Sequence, residues 1–484
     1  MNRSIAAAGV GGGFAIGGTK SSGRVIGAND TVRIAIAGLN GRGGAHVAEF
    51  GKTAGVAIVC LVDPDTRTYS KRLAEINDIG GQKPKTVRDI RHVLDDNSID
   101  AVSVATPNHW HSLIAIWACQ AGKDVYVEKP CSHNIHEGRV LVEAARRHGR
   151  IVQHGTQNRS SQAWGLAAAA IHSGKLGKLK VSRALCYKPR GSIGMKPTGA
   201  PPEQVDFDLW LGPAPTQPYH ANLVHYNWHW FWDFGNGDIG NQGVHQMDIA
   251  RWLIPPTHSA DQPSVSATYP RTVLSLGGRF GYKDQGQTAN TQISVMDYGE
   301  TQLIFEVRGL KTGPFQGQKI GNIAYLEAGV IADGKFYPHG QSSPVPLSSV
   351  VKVDAGRGPG GGHFQNFVAA VRSRKSSDLN AEILEGHYSS ALCHLANLSY
   401  RLGTQVPFKR QSRALGDNTE ASETLGRMEE HLRENGVALD GLEYRLGRKL
   451  TFDAATETFP GDAEANALLT RAYRAPFVVP DRIA

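Results

Sequence analysis

From residue 31 onward the apolar positions fall into short runs separated by longer amphipathic stretches. Residues 32–38 (VRIAIAG), 56–62, 101–105, 124–128 and 151–153 read as strands. Between them, residues 111–120 and 135–148 repeat apolar side chains at three- and four-residue spacing, the period of a helix with one buried face. Parallel strands need a crossover between them, so this alternation predicts a doubly wound α/β sheet. The grammar holds to about Thr156 and then changes. Residues 291–298 and 301–307 alternate apolar and polar positions around Gly299 and Glu300, which predicts an antiparallel hairpin. Residues 179–187 and 323–326 predict further strands, and helices are expected at 364–372 and 382–402. From Gln411 the chain is charged and helical at first, then extended. The expected organisation is an arm (1–30), a first domain (31–156), a second (157–410) and an extension (411–484). The extension carries no recognisable chemistry and is expected to brace the second domain or cover a neighbouring subunit.

Composition narrows the class. With 484 residues, 40% hydrophobic and 20% charged, the chain can bury two or three sizeable cores. The net charge of +8 is dispersed along the sequence, with no basic stripe, so no nucleic-acid partner is expected. Five widely spaced cysteines with no CxxC pair argue against a disulfide framework and a zinc ribbon. The start is different in character. Arg3 precedes a soft, glycine-laden apolar run to Gly18, and Ile26, Gly27 and Ala28 follow before Asn29. That run is too short to span a bilayer but resembles a twin-arginine export signal with one arginine only. A periplasmic or exported location is expected on that basis, with the cytoplasm as the alternative.

The first strand runs into Gly38, Leu39, Asn40, Gly41, Arg42 and Gly43, just before a predicted helix. Glycine first allows a tight turn, and glycine last lets helix pack on strand. A pyrophosphate can then sit on the helix N-terminus. Asn40 replaces the usual middle glycine, so context has to carry the motif. It does: Asp63 ends the second strand about twenty residues on, where a carboxylate accepts the ribose hydroxyls of NAD and repels the extra phosphate of NADP. NAD is therefore the expected cofactor, and Arg67 keeps NADP as the lesser alternative.

Three further segments complete a pattern: ATPNHWH (105–111), Glu128-Lys129-Pro130 at the end of a strand, and GNGDIGNQGVHQMD (235–248). Together with the glycine loop they resemble the glucose–fructose oxidoreductase, inositol dehydrogenase and rhizopine-catabolism family (Gfo/Idh/MocA), over roughly residues 31–410. The resemblance implies a Rossmann domain followed by an α/β domain with a large, mostly antiparallel open sheet. That sheet often forms an oligomer interface, so a homodimer or homotetramer is expected. It also implies that Thr106, Pro107, Asn108 and His111 line the nicotinamide side. Glu128 and Lys129 match a pair in which the lysine faces both nicotinamide and substrate, and His245 matches the acid/base histidine. Asn241 stands where the family often has aspartate. Four-residue spacing on a helix would place Asn241 and His245 on one face, and asparagine cannot titrate, so proton transfer falls to His245 or Lys129.

Other residues are candidates on chemistry alone. The aromatic run 226–232 (YNWHWFW) offers Trp228 to stack on a sugar face and His229 or Asn227 to bond its hydroxyls. Trp228, Trp230 and Trp232 also alternate as strand residues do. Arg159 could clamp an anionic or polyhydroxy substrate, or be a solvated loop arginine. His225 and His229 have helical ligand spacing but no accompanying carboxylate pattern, so no metal is expected. The expected function is an NAD-dependent oxidoreductase acting on a sugar, polyol or glycoside. The alternatives are an NAD-dependent glycosidase, working by transient oxidation, elimination, hydration and re-reduction, and a non-catalytic sugar-binding protein on the same fold.

Overall fold

A computed structural model describes residues 31–484 apart from 82, 257, 260–261, 264–268, 342, 357, 409–414 and 484. The expected export signal lies outside the described residues. β1 (Val32–Ala37), β2 (Val56–Val62), β3 (Lys85–Val87), β4 (Ala101–Val104), β5 (Asp124–Val127) and β6 (Val152–His154) form one parallel sheet in the order β3-β2-β1-β4-β5-β6. β4 and β5 are buried at every position, because helices cover both faces of a parallel sheet. The strand order reverses between β1 and β4, and connections leaving there in opposite directions open a crevice at the strands' C-terminal ends. The helix after β4 starts earlier than its apolar period indicates, at Asn108. Its first residues are buried through polar contacts: Asn108 bonds Asn236, and His109 and Trp110 bond the Trp210 carbonyl.

β7 (Leu179–Tyr187) lies inside an 11-stranded sheet, parallel to Gln302–Arg308 on one side and antiparallel to Ile320–Leu326 on the other. The remaining pairs in this sheet are antiparallel, among them the expected hairpin, whose register sets Asp297 opposite Gln302. Alternation along the strands separates two faces. Ala184, Cys186, Phe305 and Val307 pack in one core with residues of the helices Gly243–Leu253 and Ile383–Arg401. The opposite face carries Arg183, Glu306 and Arg308, buried where the helix Thr419–Glu434 crosses them.

That helix belongs to the C-terminal extension. Its Leu425, Met428 and Leu432 share a core with Leu274, Leu276 and Ile293 of the sheet. Arg183 Nη1 donates to Glu306 Oε1 at 2.6 Å and to the Thr424 hydroxyl at 2.9 Å. Burial alone would raise the Glu306 pKa, but the guanidinium groups of Arg308, Arg183 and Arg427 outweigh it and hold the carboxyl at about 2. Extension strands Glu443–Leu446 and Leu450–Thr451 also pair with Thr272–Gly278. The extension thus braces the second sheet and covers part of its outer face. A further tie joins the two halves: the helix His363–Ser373 packs on the first sheet, with Phe364 stacked on Tyr126 at 4.9 Å and edge-on to Phe50 at 5.0 Å.

Candidate active site

The crevice between β1 and β4 opens into a cavity of about 380 Å³. Gly38, Asn40, Gly41, Arg42, Asp63, Thr106, Pro107, Asn108, His111, Glu128 and Lys129 all line it. Gly38 has φ +83° and backs so closely onto β4 that an added Cβ would lie 2.5 Å from the Ala105 carbonyl oxygen. Gly43 lies behind the cavity wall, where its own Cβ would fall 1.9 Å from the Gly38 carbonyl oxygen. The loop can therefore turn this tightly only with glycine at both ends. No side chain caps the N-terminus of α1 (Arg42–Lys52), and a Cβ at Gly41 would meet nothing within 4 Å. An uncapped helix end behind a bare glycine suits a pyrophosphate.

Asp63 follows β2. Its Oδ2 accepts the Leu39 N–H at 2.8 Å and its Oδ1 the Asp65 N–H at 2.9 Å, so the carboxyl also braces the glycine loop. Burial pushes its pKa up, against the pull of the Asp65 and Leu39 N–H groups that bond its carboxylate. Arg67 is held by Asp65 through its Nε and Nη2, with Nη2 2.6 Å from Oδ2. The side chain that kept NADP open is thus already engaged. On the opposite wall the Thr106 hydroxyl is buried with no hydrogen-bond partner among the described residues, an orphan that a carboxamide could satisfy. The bare glycine cradle, the acidic ribose position and this orphan fit a dinucleotide.

Glu128 sits at the end of β5 and collects two hydrogen-bonding groups from α1. Its Oε1 accepts from Arg42 Nε at 2.7 Å and lies 3.1 Å from His46 Nε2. Burial opposes ionisation, but the His46 hydrogen bond and the Arg42 charge keep Glu128 well below the usual carboxylate range. Lys129 points the other way, donating from Nζ to the Asn241 carbonyl at 2.9 Å and to Asn241 Oδ1 at 3.3 Å. Burial lowers its pKa despite the Glu128 charge. His111 ties two walls together, its ring nitrogens 2.6 Å from the Pro130 carbonyl oxygen and 2.7 Å from that of Thr106. Asn241 and His245 both line the cavity, but not as neighbours on one helix. Asn241 caps the short turn Gly237–Gly240 at φ −99° and ψ −90°, neither helical nor extended, and a new helix starts at Gly243. Burial, then the Lys129 charge, lowers the His245 pKa to about 3, and its ring has no hydrogen-bond partner among the described residues.

Trp228 and His229 also line the cavity, but residues 227–230 form a 3₁₀ turn rather than the alternating strand expected from the tryptophans. A 3₁₀ turn keeps Trp228 and His229 together, and their rings stack at 3.6 Å. His225 and His229 do not converge: one meets Asp65 at 2.6 Å, the other the Tyr226 carbonyl at 2.5 Å. Sequence reasoning missed a roof over the cavity, built by Leu209, Trp210, His225 and Tyr226. Its one local signal is Asp206, which caps the turn Phe207–Leu211 through the Leu209 N–H.

Arg159 does not reach the cavity. Its guanidinium lies 6% exposed against Asp248, with Nε–Oδ2 2.9 Å and Nη2–Oδ1 3.0 Å, and also contacts Glu385. Arg159 is thus neither the expected substrate clamp nor a solvated loop arginine but half of a buried ion pair. Arg159→Ala should cost about 3–5 kcal/mol of stability, because Asp248 would stay buried without its partner. Chemical denaturation measures that loss, while KM for substrate in the folded variant stays unchanged.

The model of the oxidoreductase family with an NAD-binding Rossmann fold (Gfo/Idh/MocA) matches residues 32–156, and that of its C-terminal α/β domain matches residues 181–267. The chain belongs to the Gfo/Idh/MocA family. Among similar family members, the scyllo-inositol 2-dehydrogenase (NAD(+)) of Bacillus subtilis is 32% identical over 148 residues, covering 30% of this chain and 42% of that protein. A glycosyl hydrolase family 109 protein of Shewanella sp. strain ANA-3 is 34% identical over 127 residues, 25% of this chain and 28% of that one. The matched stretch is thus less than half of either relative. The WlbA dehydrogenase of Bordetella pertussis, solved with NADH and UDP-GlcNAcA, shares the fold with a TM-score of 0.55 at 17% identity, over 78% of this chain and 99% of that one.

Proposed function

We propose that this family member is an NAD-dependent oxidoreductase acting on a sugar, polyol or glycoside. One observation carries the reading: the glycine cradle, Lys129 and His245 share a single cavity. NAD, when bound, supplies a hydride acceptor. Gly38, Gly41 and the α1 terminus hold its phosphates, and Asp63 takes its ribose hydroxyls. The Lys129 ammonium, made more acidic by burial, donates to the reacting oxygen of the substrate and polarises it. His245 faces the same cavity with a ring that no described hydrogen bond occupies, so it is placed to accept the carbinol proton once a bound substrate offsets the burial that depresses its basicity. Asn241 holds Lys129 by its carbonyl and amide oxygens and does not itself titrate. The stacked Trp228 and His229 rings offer a flat face to sugar C–H bonds. The naming of one relative as an inositol dehydrogenase supports a polyhydroxylated substrate. An exported location, resting on residues 1–30, and self-association belong to the same proposal, the latter outside the part of the second sheet's outer face that the extension already covers.

A second reading has its own support in the relatives named as family 109 glycosyl hydrolases. There His245 would take a proton from the carbon beside the oxidised position, the glycosidic group would leave, water would add, and the hydride would return to the keto carbon so that no net redox change remains. Incubation of glycosides and free sugars in heavy water with catalytic NAD separates the two. A keto sugar with stoichiometric reduced NAD is the expected outcome. A cleaved glycoside carrying carbon-bound deuterium, without net reduced NAD, would replace the dehydrogenase with the glycosidase.

A further inference from the structure

The end of the chain returns to the first sheet. Phe477 and Val479 are buried in the same core as Trp110 and Trp117. The Phe477 ring meets Trp110 edge-on at 5.3 Å. Trp110 lines the cofactor cavity and donates from Nε1 to the Leu209 and Trp210 carbonyls, both at 3.1 Å. Those two residues belong to the roof. Arg474 grips the same turn from outside, donating to the Asp208 carbonyl at 2.7 Å, to Asp208 Oδ1 at 2.5 Å and to the Gly212 carbonyl at 3.0 Å. Gly212 makes the stack possible, since a Cβ there would lie 2.2 Å from the Trp110 ring. Tail, roof turn and Trp110 therefore pack on one another, and the roof turn and Trp110 both line the cavity.

We infer that residues 471–480 are a strap that holds the roof of the cofactor cavity closed, with Arg474 and Phe477 as its positioning residues. The inference rests on the NAD reading given above. A strap of this kind slows escape of the dinucleotide without touching the reacting atoms, because Lys129 and His245 make no contact with it among the described hydrogen bonds. Charge-assisted bonds to a single turn are strong enough that their loss should be seen in a release rate.

The test follows NADH fluorescence on the full chain, timing release after a chase with excess NAD. Release from Arg474→Ala and Phe477→Ala should be roughly tenfold faster than from the unaltered protein, with kcat at saturating NAD within about twofold. Arg474→Lys should recover part of the retention. Asp208→Asn, at a side chain 70% exposed, removes the ion pair without disturbing a core and covers the case in which the other variants do not fold. Release at the unaltered rate from Asp208→Asn and from every folded variant, even with a lowered Tm, would overturn the strap and leave the NAD reading standing. Failure of the unaltered protein to bind NADH would overturn both.

Discussion

Lys129→Met should lower turnover by about a thousandfold or more while NAD still binds. Methionine keeps the length of the side chain and removes its charge. The cavity stays shaped, but the donor to the substrate oxygen is gone. The folded protein should not suffer, because a buried ammonium held by two neutral oxygens of Asn241 is costly to desolvate. Burial is also the main cause of its lowered pKa. NADH titration by fluorescence and single-turnover kinetics check the two halves of the expectation separately. Undiminished turnover in this variant would remove Lys129 from the chemistry.

Gly43→Ala should destabilise the protein by roughly 3 kcal/mol or more and abolish NAD binding. The added methyl would sit 1.9 Å from the Gly38 carbonyl oxygen, and both partners are backbone, so no rotamer change relieves the clash. Gly41→Ala makes the contrast. There a Cβ meets nothing within 4 Å, and the cost is backbone strain alone, roughly 1–3 kcal/mol for a side chain at φ +40° and ψ −103°. Urea unfolding of the two variants side by side should separate them clearly. Equal stability would show that the loop relaxes, and the close approach of helix to strand would lose its role.

The two variants also mark how much of this site is legible without coordinates. The glycine loop follows from its neighbours in the chain: a buried strand before it, a helix after it, an acid at the end of the next strand. Each relation is local or spans one crossover, so periodicity and spacing carry it. Asn241 and His245 are a harder case. Their spacing suggested one helix face, yet a break at 241–242 separates a short turn from the helix, and the two meet only through the cavity they share. Arg159 went further astray, because nothing near it in sequence announces Asp248 or Glu385. The tryptophans read as a strand because period two is blind to a 3₁₀ turn that hydrogen-bonds through side chains: Trp228 Nε1 donates to the His225 carbonyl.

By itself the sequence determined the parallel sheet, the glycine turn after β1, the acid that follows β2 and the hairpin of the second sheet, since each is written in short-range pattern, whereas Glu128 and Lys129 were singled out by the family resemblance. The tertiary structure alone decided which distant segments close the cavity. The roof at 207–211, the helix at 363–373 laid on the first sheet, the extension helix across the outer face of the second, and the tail over Trp110 are all long-range contacts. They are made by side chains whose local context is ordinary: an arginine, a phenylalanine, a glycine with room for a ring. Their meaning lies in the partner, and the partner is supplied by the fold, where burial turns an unremarkable residue into an ion pair, a lid or a strap.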